Sequence, residues 1–138
     1  MTALEKIASF AETGQVAPAV ADYAAAGVNG VTDVNLAAIN SAINAQAGSD
    51  AAVGNANDRE AADTVAEVQA IVNAYTAILA EANGSDADAN AQDPSAAQYA
   101  AIGVKGVDAG AEEALLGDVI GIKNTGDVDS VSKVQALA

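Results

Sequence analysis

The sequence predicts an all-α fold made of two tandem, alanine-rich three-helix bundles that are linked by one long shared helix. Three observations lead to this prediction. A ten-residue phrase, DYAAAGVNGV at 22–31, recurs as QYAAIGVKGV at 98–107. Apolar residues downstream of the first copy recur at spacings of three and four, which is the helical period. Hydrophobic residues make up 51% of the chain but aromatics only 3%, so most apolar surface is alanine methyl groups, which favour helix.

The first unit is assigned to residues 1–82 and begins with a leading helix over residues 3–12. The first helix after it opens at Pro18, because a missing N–H costs nothing in the first turn of a helix. This helix runs through Tyr23 and stops at Gly27, a residue suited to a left-handed C-terminal cap. We expect Val28 to fold back onto the last turn.

The next helix is predicted from about residue 33 to residue 46. Thr32 or Asp33 supplies its N-terminal cap, and Val31 is placed to pack against the first turn. Three apolar residues at spacings of three and four form its core stripe. They are Leu36, Ile39 and Ile43. The stretch that follows, AAVGNANDREA at 51–61, fits either a loop or an extra helical turn.

The linking helix is predicted over residues 63–82. Thr64 and Glu67 match a capping box, in which the threonine hydroxyl caps the first turn of the helix. A wide apolar stripe follows, as the core-facing side of a bundle helix requires. The stripe consists of Val65, Val68, Val72, Tyr75 and Leu79, widened by Ile71 and Ile78.

The second unit is assigned to residues 83–138, and most of it aligns with the first at an offset of 76. The paired positions are Pro18 with Pro94, Tyr23 with Tyr99, Gly27 with Gly103, Gly30 with Gly106, Val31 with Val107, Ile39 with Leu115, and Ile43 with Val119. Glu112 stands where the first unit has Leu36. A truncated last helix over 130–138 matches the start of the linking helix, and the leading helix matches its end at 74–82. We therefore expect a piece of a longer tandem array.

Charge and composition exclude several classes of function. The formal net charge of −14 repels phosphate backbones and anionic lipid, so we expect no nucleic-acid partner and no binding to a membrane surface. No apolar run approaches the length of a membrane span, and membrane insertion is not expected. Cysteine and histidine are absent, which removes disulfides, thiol chemistry and the common zinc ligands.

One loop resembles part of a calcium-binding loop. Asp86, Asp88 and Asn90 have the spacing of the first three side-chain ligands, but Ala91 replaces the glycine and Ala97 the bidentate glutamate. A weak calcium contact and a solvated linker both remain open here, with the linker favoured. The same two alternatives apply to Gly126-Asp127-Val128-Asp129, where Asp129 is more simply a residue at a helix N-terminus.

Other side-chain groupings have simpler structural interpretations. Glu112-Glu113, and Glu60 with Asp63, are the closest carboxylate groupings, but the chain has too few aromatics to line a glycosidase-like cleft. The three tyrosines, Tyr23, Tyr75 and Tyr99, are expected to anchor the core with their hydroxyls near the surface. Gly27-Val28-Asn29-Gly30 lacks the lysine and strand of a phosphate loop, and Asn83-Gly84-Ser85 matches only the short glycosylation signal. We assign no catalytic, cofactor-binding or metal-binding residue and expect no enzyme.

The order of these motifs resembles the GA-like domains, which are named after albumin-binding three-helix modules of bacterial surface proteins. It is most similar to the tandem repeats of large secreted (RTX-type) adhesins. The matching segments are Ala21-Asp22-Tyr23, Gly27-Val28, Gly30-Val31, Asn35-Leu36-Ala37-Ala38, and Asp63-Thr64-Val65-Ala66-Glu67-Val68-Gln69-Ala70. The resemblance implies an extracellular, non-catalytic spacer that packs against neighbouring units of a longer parent chain.

The same resemblance implies an alternative function, a module that binds a host or matrix protein such as albumin. Albumin binding in that family uses the second helix and the loops beside it. In this chain the polar side of that helix offers Asn35, Asn40, Ser41 and Asn44. It has no aromatic or basic residue of the kind that usually dominates binding energy, so no binding residue is transferred to this chain.

Overall fold

A computed structural model describes residues 2–13, 17–45, 64–82, 94–104 and 106–138. These residues form α-helices and one short 3₁₀ turn, without a β-strand among them, so the predicted all-α class is confirmed. In chain order the helices are α1 (Ala3–Thr13), α2 (Val20–Ala26), α3 (Leu36–Ala45), α4 (Val65–Glu81), α5 (Ala96–Ala101), α6 (Ala111–Gly121) and α7 (Val131–Leu137), with the 3₁₀ turn at Thr125–Asp127 before α7.

The start of α2 lies two residues beyond the predicted start at Pro18. Ala19 is the N-cap residue, and its backbone N–H donates to the Asp22 carboxylate at 2.7 Å. Lys6 of α1 pairs with the same carboxylate at 2.9 Å. The backbone hydrogen bond from Ala19 and then Lys6 hold the pKa of Asp22 below its ordinary value. A carboxylate three residues into the helix therefore fixes where α2 begins and ties it to α1.

The turn after α2 is repeated after α5 in backbone conformation as well as in sequence. Gly27 and Gly103 have φ of 89° and 96°, and Gly30 and Gly106 have φ of 94° and 85°. In both copies the valine that follows the first glycine is buried, and its N–H donates to the tyrosine carbonyl at 3.0 Å. The predicted glycine cap and the folding back of Val28 are thus confirmed.

Helix α3 begins at Leu36, three residues later than predicted, because residues 33–35 form a turn. The Asn35 side chain accepts from the Thr32 N–H at 2.7 Å and so closes this turn, and neither the Thr32 nor the Asp33 side chain caps the described helix. The core stripe is confirmed: Ile39 and Ile43 are fully buried, and Leu36 packs against the core.

Helix α4 agrees closely with the predicted linking helix. The Thr64 hydroxyl accepts from the Glu67 N–H at 3.2 Å, as the capping box predicts, and the helix ends at Glu81. Most of the predicted stripe is buried or packed against the core, but Val65, which starts it, is 38% exposed. The first turn of α4 therefore projects beyond the core.

The buried apolar side chains of the described residues form one continuous cluster that draws on the chain both before and after residue 82. Helix α1 packs against α2 and α3, α4 packs against α3, α5 and α6, and α7 packs against α3 and α6. Two hydrogen bonds join the repeats directly. The Tyr75 hydroxyl donates to the Val128 carbonyl at 2.7 Å, and the Val131 N–H donates to the Ser41 hydroxyl at 3.0 Å. The finer division into bundles at residue 82 stays a prediction.

The core stripe of α6 is displaced by one residue from the predicted one. The sequence alignment pairs Leu115 and Val119 with the buried Ile39 and Ile43, yet both are exposed. Leu116 and Ile120 are buried in their place. Helix α6 starts at Ala111, one residue before the counterpart of Leu36, and one residue corresponds to a rotation of about 100° around the helix axis.

Candidate binding surface

The polar side of α3, which the resemblance makes the candidate binding face, is largely occupied by contacts within the chain. Asn35 accepts from the Thr32 N–H and donates to the Gly30 carbonyl. Asn40 accepts from the Tyr23 hydroxyl at 2.6 Å and donates to the Pro18 carbonyl at 2.9 Å. These amides hold neighbouring turns in place.

The remaining two polar residues of this side differ in exposure. Ser41 donates to the Ala38 carbonyl and accepts from the Val131 N–H of α7, and only Asn44 is exposed. The polar side of α3 is therefore a set of internal hydrogen bonds and offers little free surface to a partner. The sequence pattern alone does not show this, because the partners lie up to 90 residues away.

The three tyrosines anchor the core as predicted, but their hydroxyls do not reach the surface. Tyr23, Tyr75 and Tyr99 are all completely buried. Burial raises the pKa of Tyr23 and of Tyr75 well above the ordinary range for a phenol. Both groups stay protonated at neutral pH and act as hydrogen-bond donors, which is a structural role.

In the acidic turn around Asp127 and Asp129, the positive charge is supplied by the side chain of Lys133. The Lys133 ammonium contacts an Asp129 carboxylate oxygen at 2.7 Å and donates to the Gly126 carbonyl at 2.9 Å. Asp127 accepts from the Asn124 N–H at 3.1 Å. Asp129 lies just before Ser130, the N-cap of α7. The oxygens that suggested a calcium contact are thus engaged by lysine and by backbone N–H groups.

The Glu112-Glu113 pair also caps backbone groups. Glu112 accepts from the Asp108 N–H at 3.0 Å, and Glu113 accepts from the Ala96 N–H at the start of α5 at 2.6 Å. The two carboxylates therefore point at different turns and do not converge on a common point. Glu113 stabilises the start of α5, where the backbone dipole favours a negative charge, and Glu112 stabilises the turn that precedes α6.

The Gly27–Gly30 segment is held as a turn between helices. The side-chain amide of Gln69 in α4 forms two hydrogen bonds with the Asn29 backbone, accepting from its N–H at 2.8 Å and donating to its carbonyl at 2.9 Å. This pairing fixes the turn against α4 and agrees with the structural interpretation of the glycines.

Several sequence predictions fall outside the described residues. They are the calcium-like loop with Asp86, Asp88 and Asn90, the Glu60–Asp63 pair, the Asn83-Gly84-Ser85 signal and the 51–61 stretch. Within the described ranges, no group of three or more acidic side chains is placed to hold a metal ion.

The least expected surface is apolar and lies on α6. Leu115 and Val119 of α6 and Ile122, the C-cap residue that follows it, are 64%, 36% and 57% exposed. Their spacings of four and three put them on one side of the helix. We call these three residues the α6 stripe. A shallow cleft of about 300 Å³ borders it, with Val107 and Leu137 in its wall. Sequence reasoning missed the stripe because it assigned Leu115 and Val119 to the core.

Comparison of the chain with known protein families, with characterised proteins and with solved structures finds no significant match. Among the described helices, none is long and apolar enough to cross a membrane.

Proposed function

We propose that the chain is a non-catalytic repeat module that acts as a structural spacer in an extracellular bacterial adhesin. The observation that carries the proposal is the continuity of the core across the two repeats. A single helix, α4, packs against α3 of the first repeat and against α5 and α6 of the second. A helix shared in this way sets a fixed step between repeats, as in other repeat proteins.

The roles of the polar groups support a structural function. The carboxylates of Asp22, Glu112 and Glu113 cap backbone N–H groups, and the Asp129 carboxylate pairs with a lysine. The remaining negative charge lies on a chain with five basic residues against nineteen acidic ones. Such a surface keeps neighbouring arrays soluble and apart through mutual repulsion.

The test of the spacer function is the size and location of the parent polypeptide. An antibody raised against the 138 residues is used to blot the secreted, surface and cytosolic fractions of cells that produce the protein. The proposal predicts a band far larger than 13.4 kDa in the surface or secreted fraction, removed when intact cells are treated with protease. A band of about that mass confined to the cytosol would overturn it.

The α6 stripe favours a second candidate function, a module that binds a host or matrix protein. Exposed apolar side chains that cluster on one helix are a common feature of protein-binding surfaces. The test is a biosensor titration of serum albumin over the immobilised chain at physiological salt, with calcium or with chelator. Saturable binding that Leu115→Glu abolishes and Val34→Glu leaves unchanged would support this function. Absence of binding in both conditions would favour the spacer.

A further inference from the structure

The last helix of the second repeat, α7, packs against α3. Ala38 and Ala42 of α3 are buried, although alanine is too small to reach far into a core. Ser41 lies between these alanines in the sequence, and its hydroxyl accepts a hydrogen bond from the N–H of Val131, the first residue of α7. Helix α7 therefore packs against α3 with its N-terminus at Ser41, next to the buried Ala42 in the chain.

The corresponding surface of α6 carries the α6 stripe and is exposed. Aligning the buried pair Leu116 and Ile120 with the buried pair Ile39 and Ile43 sets the offset between the two helices at 77. This offset assigns the residues of α6 that correspond to Ala38, Ser41 and Ala42. Leu115 corresponds to Ala38, Asp118 to Ser41, and Val119 to Ala42. The positions that match the buried Ala38 and Ala42 are thus occupied by larger apolar side chains in α6, and these side chains are exposed.

The helix that corresponds to α7 is the first half of α4, and its outer face is also uncovered. The segments DTVAEVQAI at 63–71 and DSVSKVQAL at 129–137 align at an offset of 66, so Val65 corresponds to Val131. Val131 packs against the core, whereas Val65 is 38% exposed. The chain therefore exposes counterparts of both surfaces that meet in the α3–α7 contact. The counterpart of the α3 surface lies on α6, and the counterpart of the α7 surface lies at the start of α4.

We propose that the α6 stripe binds the start of α4 from a second copy of this chain, in the way that α3 binds α7 within one copy. In this arrangement Leu115 and Val119 cover Val65 of the neighbouring copy. The Asp118 carboxylate takes the place of the Ser41 hydroxyl and accepts from the Val65 N–H at the α4 N-terminus, where a negative charge is favourable.

The contact joins two different surfaces, so it is head-to-tail and leaves one of each surface free at the ends. Successive copies therefore join in the same orientation and form an open array. This inference rests on the proposed function for its biological setting, where successive units of one parent chain would meet in the same way. With a net charge of −14 on each copy, the association requires salt to screen the repulsion.

The absence of cysteine from the chain permits a direct test by disulfide cross-linking. The Val65→Cys and Asp118→Cys variants are each purified, mixed at high salt, and oxidised. The structure predicts a mixed disulfide dimer that forms at least about tenfold faster than dimers of either variant alone, because the two positions meet only between copies. The matched control mixes Val65→Cys with Val34→Cys, a position that is 87% exposed and lies outside the stripe.

Two results would overturn the inference. One is a mixed dimer that forms no faster than in the Val34→Cys control. The other is rapid pairing of Asp118→Cys with itself, which indicates a symmetric contact. Sedimentation of the unaltered chain at high salt provides a second measurement: mass must rise with concentration, and Leu115→Glu must abolish the rise. A strictly monomeric chain contradicts the docking alone, whereas the blot of the parent polypeptide tests the spacer function separately.

Discussion

At the residue scale, the repeated turn depends on a backbone conformation that only glycine adopts without strain. Gly27 and Gly103 lie in the left-handed region with the same hydrogen bonds around them. A side chain in this region costs roughly 1–2 kcal/mol even where there is room for it. No atom lies within 4 Å of a Cβ added at Gly27, so the cost of a substitution there comes from the backbone.

We therefore expect Gly27→Ala to lower the free energy of unfolding by about 1–2 kcal/mol. Gly126→Ala is the matched control, since its added Cβ also meets open space but its φ lies outside the left-handed region. The control is expected to stay within about 0.5 kcal/mol of the unaltered chain. Urea unfolding followed by circular dichroism measures both, and equal losses for the two variants would contradict the strain argument.

The buried tyrosines predict a loss of stability at alkaline pH. Burial raises the folded-state pKa of Tyr23 and of Tyr75, while an unfolded tyrosine titrates near pH 10. Above that pH the unfolded chain binds fewer protons than the folded one, so the free energy of unfolding falls as pH rises. Tyr23 and Tyr75 each contribute a slope of about 1.4 kcal/mol per pH unit until the folded tyrosine itself titrates.

Urea unfolding at about pH 9 and about pH 11 measures this slope. The Tyr75→Phe variant removes one buried phenol and keeps every lysine, so it separates the effect of tyrosine from that of lysine titration. The variant loses the hydrogen bond to the Val128 carbonyl and is less stable at both pH values. Its stability must nevertheless fall less steeply with pH than that of the unaltered chain. An identical slope in the two proteins would show that the tyrosines are not the cause.

At the element scale, the length and position of α4 depend on its N-terminal cap. The Thr64 hydroxyl accepts from the Glu67 N–H, and loss of such a cap typically costs about 1 kcal/mol. We expect Thr64→Ala to destabilise the chain by this amount. Thr32→Ala is the control, because the hydrogen bond from Thr32 to Asn35 is made by the backbone N–H, which the substitution keeps. Differential scanning calorimetry compares the two, and an equal decrease in Tm would contradict the assignment of the cap.

The elements also show what the sequence alone could predict. The bounds of α1 and α4 follow closely from apolar spacing and capping residues, because these signals are local in the chain. The orientation of α6 does not, since Leu115–Val119 and Leu116–Ile120 are two overlapping apolar pairs. Burying the second pair places isoleucine instead of valine in the core, a gain of about 0.8 kcal/mol for the extra methylene. Only the packed structure distinguishes these two orientations.

The candidate binding surface was harder to predict for the same reason. The sequence predicts that Asn40 and Ser41 are free polar side chains on α3. In the structure Asn40 accepts a hydrogen bond from Tyr23, and Ser41 accepts one from Val131. The counterpart of Asn40 at the observed offset is Gly117, which has no side chain, so the contact with tyrosine is not repeated in the same form. Differences of this kind between the repeats are not visible until the helices are placed.

At the scale of the whole molecule, the net charge of −14 opposes folding through self-repulsion. We expect Tm to rise by several degrees as sodium chloride increases from about 10 mM to about 1 M, which shortens the screening length from roughly 30 Å to 3 Å. Potassium chloride must act alike, because screening depends on ionic strength. Stabilisation by calcium well above its contribution to ionic strength would instead indicate a specific calcium contact.

Because the apolar side chains before and after residue 82 form one core, we expect the whole chain to unfold as one unit. Calorimetry of the whole chain, compared with the separate fragments 1–82 and 83–138, tests it most directly. A shared core predicts one transition for the whole chain with equal calorimetric and van't Hoff enthalpies, and a lower Tm for each fragment. Fragments that each melt at the temperature of the whole chain would show that the two parts are independent, and would contradict a shared core that unfolds as one unit.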